Sequence, residues 1–571
     1  MKKIFFLICA GLVMFSCSKE ENENVEKGKS NIVVVNGKLS DVITTDNIYS
    51  ISSLTINGTI SGDDWNTLFE MATMGQLELL NMANAKIVGV NDADQWNDDE
   101  IPEFEFSHSK TLKEVYLPST LKVIGAEAFA ECTKLSIVHF PENIDSIAPR
   151  AFYKSALSGE LNMPSHLRVI ARQAFARTKL TKVQVNSNII AGKTITQKEN
   201  STGEISNYSS IYEVGGNSVF SYCENLSEVV VKEGCTMLEI GFEHCTSLVS
   251  VTLPSSLQRI GQIHGMINEL EKVYQSQDSL WYKVANYSVL TSTASVYSGS
   301  NGNYIFKNCT GLKNIKLPEK LWFIGEKAFE NTSIESVDIP NNVTYIWNGA
   351  FKGCISLNTI KLPSQLKHIG SSCFQGCTAL NEILIPDNVI YVGASAFSGC
   401  TSVKSIYFGK NIKDIGISAF QQCSKLKSID LPQDLYYLGK SAFEGCSNLS
   451  IARMSKYLEE IESSTFKDCI ELHDLTIGTS VTKIGSSAFF HCPKLETINL
   501  PPSISSIDNY AFAYTGLKQM KVYWNSPLPI DSNTFDGINL SKATLRVPKG
   551  TVDTYRLSSV WKDFGQVMEM E

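Results

Sequence analysis

The sequence predicts a β-rich solenoid, a long stack of short coils that share one continuous core. The main observation is a phenylalanine that returns every 23 residues. The first run is Phe106, Phe129, Phe152 and Phe175, and the second is Phe351, Phe374, Phe397, Phe420, Phe443, Phe466, Phe489, Phe512 and Phe535. A cysteine follows three residues after many of these rings and keeps the same period. A fixed period of this size is typical of repeat proteins, in which each coil packs only against its neighbours.

One coil, from Phe351 to Phe374, predicts how each repeat folds. The alternating apolar residues at 360–362 predict a short strand with one buried face. Pro363 ends that strand because proline lacks the donor for a strand ladder. Leu366 and Ile369 then form a second apolar step.

The position before the phenylalanine is small. Alanine fills it at 128, 151, 174, 328, 350, 396, 419, 442, 488 and 511. A ring stacked in every coil leaves little room beside it, so we interpret this position, including Cys373, as packing.

The full pattern, C-x-x-L-x-x-I-x-L-P-x-x-L-x-x-I-G-x-x-A-F, resembles the BspA-type leucine-rich repeat, a bacterial surface variety. The resemblance extends from about Phe106 to Phe535. It implies an α/β leucine-rich-repeat solenoid that is rich in β-structure, a right-handed curved stack of about 18 coils. It also implies roles in surface adhesion or binding, and no shared catalytic residues.

The cysteine column is Cys354, Cys377, Cys400, Cys423, Cys446, Cys469 and Cys492, with Cys132, Cys223, Cys245 and Cys309 at the same position in other coils. Disulfides are one interpretation, because secreted chains use them. Parallel side chains fit disulfide torsion poorly, however, and no C-x-x-C pair suggests zinc. We therefore expect a column of buried thiols and no metal.

The N-terminus is expected to be a targeting segment. Lys2 and Lys3 precede an apolar run at 4–15 that is too short to span a bilayer. The segment at 14–17 resembles a lipoprotein lipobox, which implies lipid attachment at Cys17 and an outer-membrane anchor. The residues after Cys17 resemble an export signal that leads to the cell exterior. The alternative is a plain secretory signal with an incidental cysteine.

These observations predict five segments. Residues 1–16 are a signal peptide, and 17–30 a flexible tether. Residues 31–105 form an N-terminal cap with irregular first repeats, 106–535 form the solenoid, and 536–571 a C-terminal cap. Caps are expected because an uncovered terminal coil would polymerise.

Composition and motifs exclude several classes of function. The chain has a formal net charge of −9 and no long basic run, so we expect no nucleic-acid partner. Its histidines are scattered without an H-E-x-x-H motif, and no phosphate loop or dinucleotide motif is present. Repeated G-x-S-A-F segments lack the closing glycine of a nucleophile elbow. We expect neither an enzyme nor a cofactor.

The outward side chains of the strands are one candidate binding surface. They are Lys316, Asp338, Lys361, Leu384, Tyr407, Asp430, Arg453, Thr476, Asn499 and Lys521. Opposite charges on neighbouring coils, as in Lys316/Asp338 and Asp430/Arg453, favour cross-strand pairing, which would leave a self-satisfied face. The least polar part comprises Leu384, Tyr407, Phe408 and the pair Tyr523 and Trp524. From this part we take Tyr407 and Trp524 as candidate ligand-binding residues.

Two interruptions of the period are the other candidate. Insertions are expected near 186–216 and 275–302, starting at the same point of the coil and three coils apart. Their aromatic residues are Tyr208, Tyr212, Trp281, Tyr282, Tyr287 and Tyr297. Tyrosine and tryptophan among small polar residues make good recognition loops, so these six are candidate ligand-binding residues. Alternatively, each insertion is one degenerate coil with its aromatic side chains packed inward.

Together the sequence predicts a non-catalytic, adhesin-like surface lipoprotein that binds an extracellular protein or glycan. Its membrane contact would be the lipid on Cys17. The alternative is an accessory lipoprotein that captures glycans for a polysaccharide uptake system.

Overall fold

A computed structural model describes residues 31–89, 98–186, 189–191, 198–199, 205–206, 218–261 and 304–570. These residues form a parallel β-solenoid of about 20 turns with little helix. The predicted repeat stack is therefore confirmed, with a number of coils close to the one expected. Each regular coil contributes one strand to a first ladder and a two-residue strand to a second ladder.

The first ladder contains the alternating strand of each coil. Its strands are Asn31–Val35, Ile51–Ile56, Leu79–Asn81, Glu114–Tyr116, Ile137–His139, Ser158–Asn162, Lys179–Val185, Glu228–Val231, Ser250–Thr252, Ser336–Asp338, Thr359–Lys361, Glu382–Leu384, Ser405–Tyr407, Ser428–Asp430, Ile451–Arg453, Asp474–Thr476, Thr497–Asn499, Gln519–Lys521, Thr544–Val547 and Gln566–Glu569. This ladder is divided into several short sheets. Within each sheet neighbouring strands pair in parallel, and corresponding residues of successive repeats stand side by side, as Leu384 does with Tyr407. Position in the repeat therefore fixes position on the face.

The second ladder follows the proline turn. Its strands are Thr59–Ile60, Lys86–Ile87, Glu100–Ile101, Val123–Ile124, Ser146–Ile147, Val169–Ile170, Ile190–Ala191, Met237–Leu238, Arg259–Ile260, Phe323–Ile324, Tyr345–Ile346, His368–Ile369, Tyr391–Val392, Asp414–Ile415, Tyr437–Leu438, Glu460–Ile461, Lys483–Ile484 and Ser506–Ile507. Eight of these strands, from Met237–Leu238 to Tyr437–Leu438, form one continuous sheet. A separate antiparallel pair joins Lys198–Glu199 to Ile205–Ser206.

The phenylalanine side chains form one column through the core. Successive rings from Phe106 to Phe535 stack with centroids 5.0–5.8 Å apart and planes within 17° of parallel. Each of these side chains is buried. The column runs without a gap past both interruptions, because Phe175 stacks on Phe220 and Phe242 on Phe306.

Helical elements at the two ends cover this column. The α-helix Asp64–Thr73 places the Trp65 ring edge-on to Phe106. At the other end the α-helix Val552–Arg556 and the 3-10 helix Trp561–Asp563 belong to a cluster in which Trp561 meets Phe535 edge-on. Further 3-10 helices are Leu39–Asp41, Ser532–Phe535 and Leu540–Lys542. A tryptophan thus meets the ring at each end of the phenylalanine column.

The backbone adopts positive φ at two places in most coils, two residues before and two residues after the phenylalanine. Around Phe397 these are Ser395, with φ of 55°, and Gly399, with φ of 75°. The glycine that follows the second strand has a different role. A Cβ atom at Gly393 would lie 2.4 Å from the backbone nitrogen of Ser371, so close approach of coils favours glycine there.

The two interruptions begin later in the coil than the first strand. Strand Ile190–Ala191 pairs with Val169–Ile170 in the second ladder, so the regular coil continues to Ala191. Before the second interruption the ladder continues to Arg259–Ile260. The chain re-enters the column at Phe220 and Phe306, which are two stacking steps apart, 5.2 and 5.8 Å. The expected separation of three coils is therefore wrong, because one coil fewer lies between them.

Candidate functional site

The outward residues of the first ladder form a face whose side chains point to solvent. Leu384 is 60% exposed and Tyr407, its direct neighbour on the next strand, is 55% exposed. The large exposure of two adjacent apolar side chains follows from their position, since alternate residues of a strand point away from the core. Leu384 and Tyr407 are therefore available to a ligand.

Toward both ends of this face the polar side chains pair with one another. Arg453 makes two hydrogen bonds to Asp474, at 3.4 and 3.0 Å. Near the N-terminal end, His139 Nε2 lies 2.8 Å from Glu114 Oε1, and its ring stacks on Tyr116 with centroids 3.8 Å apart. The hydrogen bond from His139 is the largest cause that lowers the pKa of Glu114. These regions match the expectation of a self-satisfied face.

The middle of the face differs. We call the outward residues Lys316, Asp338, Lys361, Leu384, Tyr407 and Asp430 the open segment; all six are exposed. Within the described residues, none of their side chains makes an ion pair, a hydrogen bond or a ring contact. The expected pairs Lys316/Asp338 and Asp430/Arg453 are wrong, and Arg453 turns to Asp474 instead.

A row of small hydroxyl side chains runs beside the open segment. It consists of Ser336, Thr359, Ser405 and Ser428, with Glu382 between the second and third. Ser405 Oγ donates a hydrogen bond of 3.4 Å to Glu382 Oε1. The side chains of this row, which lie beside Leu384 and Tyr407, are therefore short or polar.

The other low-polarity residues of the sequence prediction are less accessible. Phe408 is partly buried and packs edge-on against Phe420. Tyr523 is exposed, with the ammonium group of Lys521 5.2 Å from its ring centroid. Trp524 is only 8% exposed, because the C-terminal cluster covers it and Trp561 lies 6.1 Å away. The prediction that Trp524 belongs to an exposed patch is therefore wrong.

The six aromatic candidates of the insertions, Tyr208, Tyr212, Trp281, Tyr282, Tyr287 and Tyr297, lie outside the described residues. What the structure fixes is where the chain leaves and re-enters the stack. Both departures follow a strand of the second ladder, and both returns precede a column phenylalanine. The two insertions therefore start from equivalent points of nearby coils.

The second ladder holds a buried polar row that the repeat pattern did not predict. Its residues are Tyr345, His368, Tyr391 and Asp414, all of them buried. The rings of His368 and Tyr391 stack with centroids 5.1 Å apart. Burial lowers the pKa of His368 to about 4 and raises the pKa of Asp414 to about 7. In the sequence these polar residues recur at one position of the repeat, but the alternating pattern of the strand alone would place their side chains in solvent.

The cysteine column is made of thiols. In the described part of the chain, every cysteine is free and buried. Most column thiols donate to the carbonyl oxygen of the phenylalanine one coil earlier, as Cys400 Sγ does to Phe374 at 3.2 Å. The expected thiol state is confirmed. Burial raises the pKa of Cys400 to about 12.

The described residues contain neither a metal-binding cluster nor a membrane-spanning helix. No cluster of three or more potential metal-ligating side chains occurs among them. In the same part of the chain, helices are too short or too polar to cross a bilayer.

Comparison with solved structures finds other repeat proteins. A leucine-rich repeat protein from Bacteroides ovatus is 24% identical, with a TM-score of 0.43, over 62% of this chain and 87% of that one. A leucine-rich cell surface protein from Faecalibacterium prausnitzii is 19% identical, with a TM-score of 0.29, over 76% and 85%. The T. pallidum leucine-rich repeat protein is 30% identical, with a TM-score of 0.27, over 28% and 78%.

No curated protein matches the chain. The family model for the BspA type leucine rich repeat region matches residues 99–207, 199–264, 285–404, 367–495 and 450–558. These matches include the coils that carry the open segment and cover most of the sequence. The chain belongs to the BspA-type leucine-rich repeat family.

Proposed function

We propose that this protein is a non-catalytic, adhesin-like receptor of the bacterial surface that binds an extracellular protein or glycan. The observation that carries the proposal is the open segment. On the same face Arg453 pairs across coils with Asp474, whereas Lys361 and Asp430, the outward charges that flank Leu384 and Tyr407, make no ion pair among the described residues.

The arrangement of the open segment suits a binding surface. Its centre is apolar, with Leu384 beside Tyr407, and charged residues flank it, Lys361 on one side and Asp430 on the other. Many protein interfaces have an apolar or aromatic centre and a polar rim, and tyrosine is enriched among their strongest contacts. The unpaired charges remain hydrated until a partner of complementary charge arrives.

The two insertions are proposed as a second contact. Their aromatic residues, Trp281 and Tyr282 among them, stand in segments rich in serine, threonine, asparagine and glycine. Phe220 and Phe306, where the chain re-enters the stack, are two column steps apart, which supports one composite surface made by both insertions.

Glycan capture for a polysaccharide uptake system is the second candidate function. The hydroxyl row beside Tyr407 favours it, because an exposed ring flanked by small polar groups can stack on a sugar while hydroxyls bond its edge. Ser405 and Thr359 would supply those groups.

We also propose that the receptor is held on the outer membrane by a lipid on Cys17 and faces the cell exterior. The lipobox-like segment at 14–17 and the polar stretch after it support this. Cys17→Ser should release the protein from the membrane fraction of cells, and Cys9→Ser is the matched control. A Cys17→Ser protein that remained membrane-bound would contradict the anchor.

The binding proposal is tested by presenting the purified mature chain to a glycan array and to a panel of extracellular-matrix proteins. Saturable binding to a matrix protein supports the adhesin-like role, and binding to polysaccharides alone supports the uptake role. The double substitution Trp281→Ala/Tyr282→Ala should weaken binding about tenfold or more if the insertions contribute a hot spot. A chain that binds neither panel would contradict the proposal.

A further inference from the structure

A second column of rings runs along the second ladder and is interrupted by one carboxyl group. The residues in register along this ladder are Phe323, Tyr345, His368 and Tyr391. Trp347, two residues after Tyr345, contacts the rings of Phe323 and His368 at centroid distances of 6.3 and 5.6 Å, and His368 stacks on Tyr391 at 5.1 Å. On the next strand the register partner of Tyr391 is Asp414. An acid thus occupies a position that the preceding coils give to aromatic residues.

Asp414 is buried, and one of its two carboxyl oxygens lacks a hydrogen-bond partner among the described residues. The residue is 9% exposed, and the oxygen without a partner is Oδ1. A buried ionised carboxylate is costly unless it is paired, whereas the protonated acid is neutral and far cheaper to bury.

The groups that face Asp414 supply no compensating charge. Its register partners are Tyr391 on one side and Tyr437 on the other, both neutral at ordinary pH. Lys413, the preceding residue, pairs with Asp434 at 3.2 Å. Glu460, two strands further along the same row, differs in being half-exposed and paired with Lys483 at 2.7 Å.

We propose that the protonation state of Asp414 controls the local stability of its coil. When Asp414 is protonated, the coil stays closed. When Asp414 is ionised, the coil opens so that the carboxylate reaches water. Strand Ser405–Tyr407 of the first ladder belongs to the same coil as strand Asp414–Ile415. Ionisation therefore loosens the coil that carries Tyr407. An effect on binding rests on the proposed function above, whereas the loosening is measured without any ligand.

The direction of the pH dependence follows from the pKa of Asp414, about 7 in the closed coil against an ordinary 3.8. The closed coil holds a proton that the open coil releases, so closure weakens as pH rises and levels off above pH 7. His368 acts in the opposite sense, because its pKa falls to about 4 from 6.5. It lies two strands away, so a local measurement separates the two.

The test is hydrogen exchange with mass-spectrometric detection on the full mature chain from pH 5 to 8, corrected for intrinsic exchange rates. Protection of the segment at 405–415 should fall roughly tenfold per pH unit up to about pH 7. Asp414→Asn should abolish that slope, and Glu460→Gln, the matched control, should leave it intact. The segment at 451–461 is the internal reference.

Equal pH profiles for the parent protein and Asp414→Asn would overturn the proposal. If Asp414→Asn does not fold, the parent protein alone tests the proposal. The proposal is then overturned if protection of the segment at 405–415 changes no more with pH than protection of the reference segment. Neither outcome depends on whether Tyr407 binds a ligand.

Discussion

The cysteine position shows how one side chain is selected by the contact it makes to the neighbouring coil. Cys423 Sγ donates to the carbonyl oxygen of Phe397 at 3.4 Å, and Cys469 Sγ donates to that of Phe443 at 3.3 Å. In the coil of Phe106 a hydroxyl replaces the thiol, and Ser109 Oγ donates to Ala72 at 2.6 Å. In these coils the position holds a small donor that fits against a turn, and both a thiol and a hydroxyl serve there.

We predict that the column thiols react slowly with a thiol reagent while the protein is folded. Burial raises the pKa of Cys446 to about 12, and only the thiolate is reactive. The measurement is labelling by a chromogenic disulfide at pH 8, using a chain that starts at residue 18. The same chain in guanidinium chloride is the control and should react completely. Rapid labelling under native conditions would contradict a buried thiol column.

At this scale the sequence predicted the thiols but not their acceptors. The 23-residue period placed the cysteines in one column, and parallel side chains argued against disulfides. Which carbonyl receives each thiol depends on the offset between coils, which a linear pattern does not contain. Trp524 shows the same limit, since a residue beyond the repeat, Trp561, decides its burial.

At the scale of elements, the phenylalanine column makes the coils cooperate. Its rings stack with centroids 5.0–5.8 Å apart, as for Phe374 and Phe397 at 5.1 Å, so each ring packs against the rings of both neighbouring coils. Offset or stacked aromatic pairs add to the stabilisation from burial. A coil that loses its ring weakens the contact on both sides.

We predict that Phe397→Ala destabilises the protein by about 3–5 kcal/mol, because it removes a fully buried ring and leaves a cavity. The measurement is the free energy of unfolding in urea. Phe397→Leu should cost less, since it keeps most of the apolar volume. Tyr514→Ala, which removes an aromatic side chain that is 47% exposed, is the control and should change stability little. Equal values for Phe397→Ala and Tyr514→Ala would refute the account of the column.

Secondary structure was predicted within the repeats but not outside them. The repeat pattern predicted the strands and the proline turns of the regular coils. The helix Asp64–Thr73 was missed, although its buried residues Trp65, Leu68 and Met71 follow helical spacing. It lies outside the repeated region, where the search for a 23-residue period has nothing to match.

At the scale of the whole molecule, the phenylalanine column is covered at both ends, and one face of the stack has exposed, unpaired side chains in its middle. Trp65 covers the first ring of the column and Trp561 the last. Covered ends are expected to keep one solenoid from adding to the end of another. What remains for recognition is the side of the stack, where the open segment and the departures of the two insertions lie.

Much of this layout was visible in the sequence, because one coil repeats and fixes which residues face outward. The pairing on the outward face was not. Lys316/Asp338 and Asp430/Arg453 looked like natural partners, yet Arg453 bonds Asp474. Side-chain reach and strand offset decide such pairs. The open segment was therefore recognisable only from the structure.

The most direct test of the proposed binding face is the affinity of the mature chain for the ligand that a matrix-protein or glycan panel identifies. We measure it for the parent, for Leu384→Ser/Tyr407→Ser, and for Tyr514→Ser as a control on a different face. The account predicts that the double variant weakens binding about tenfold or more, a loss typical of hot-spot residues, while the control binds like the parent. A double variant that keeps the affinity of the parent would contradict it.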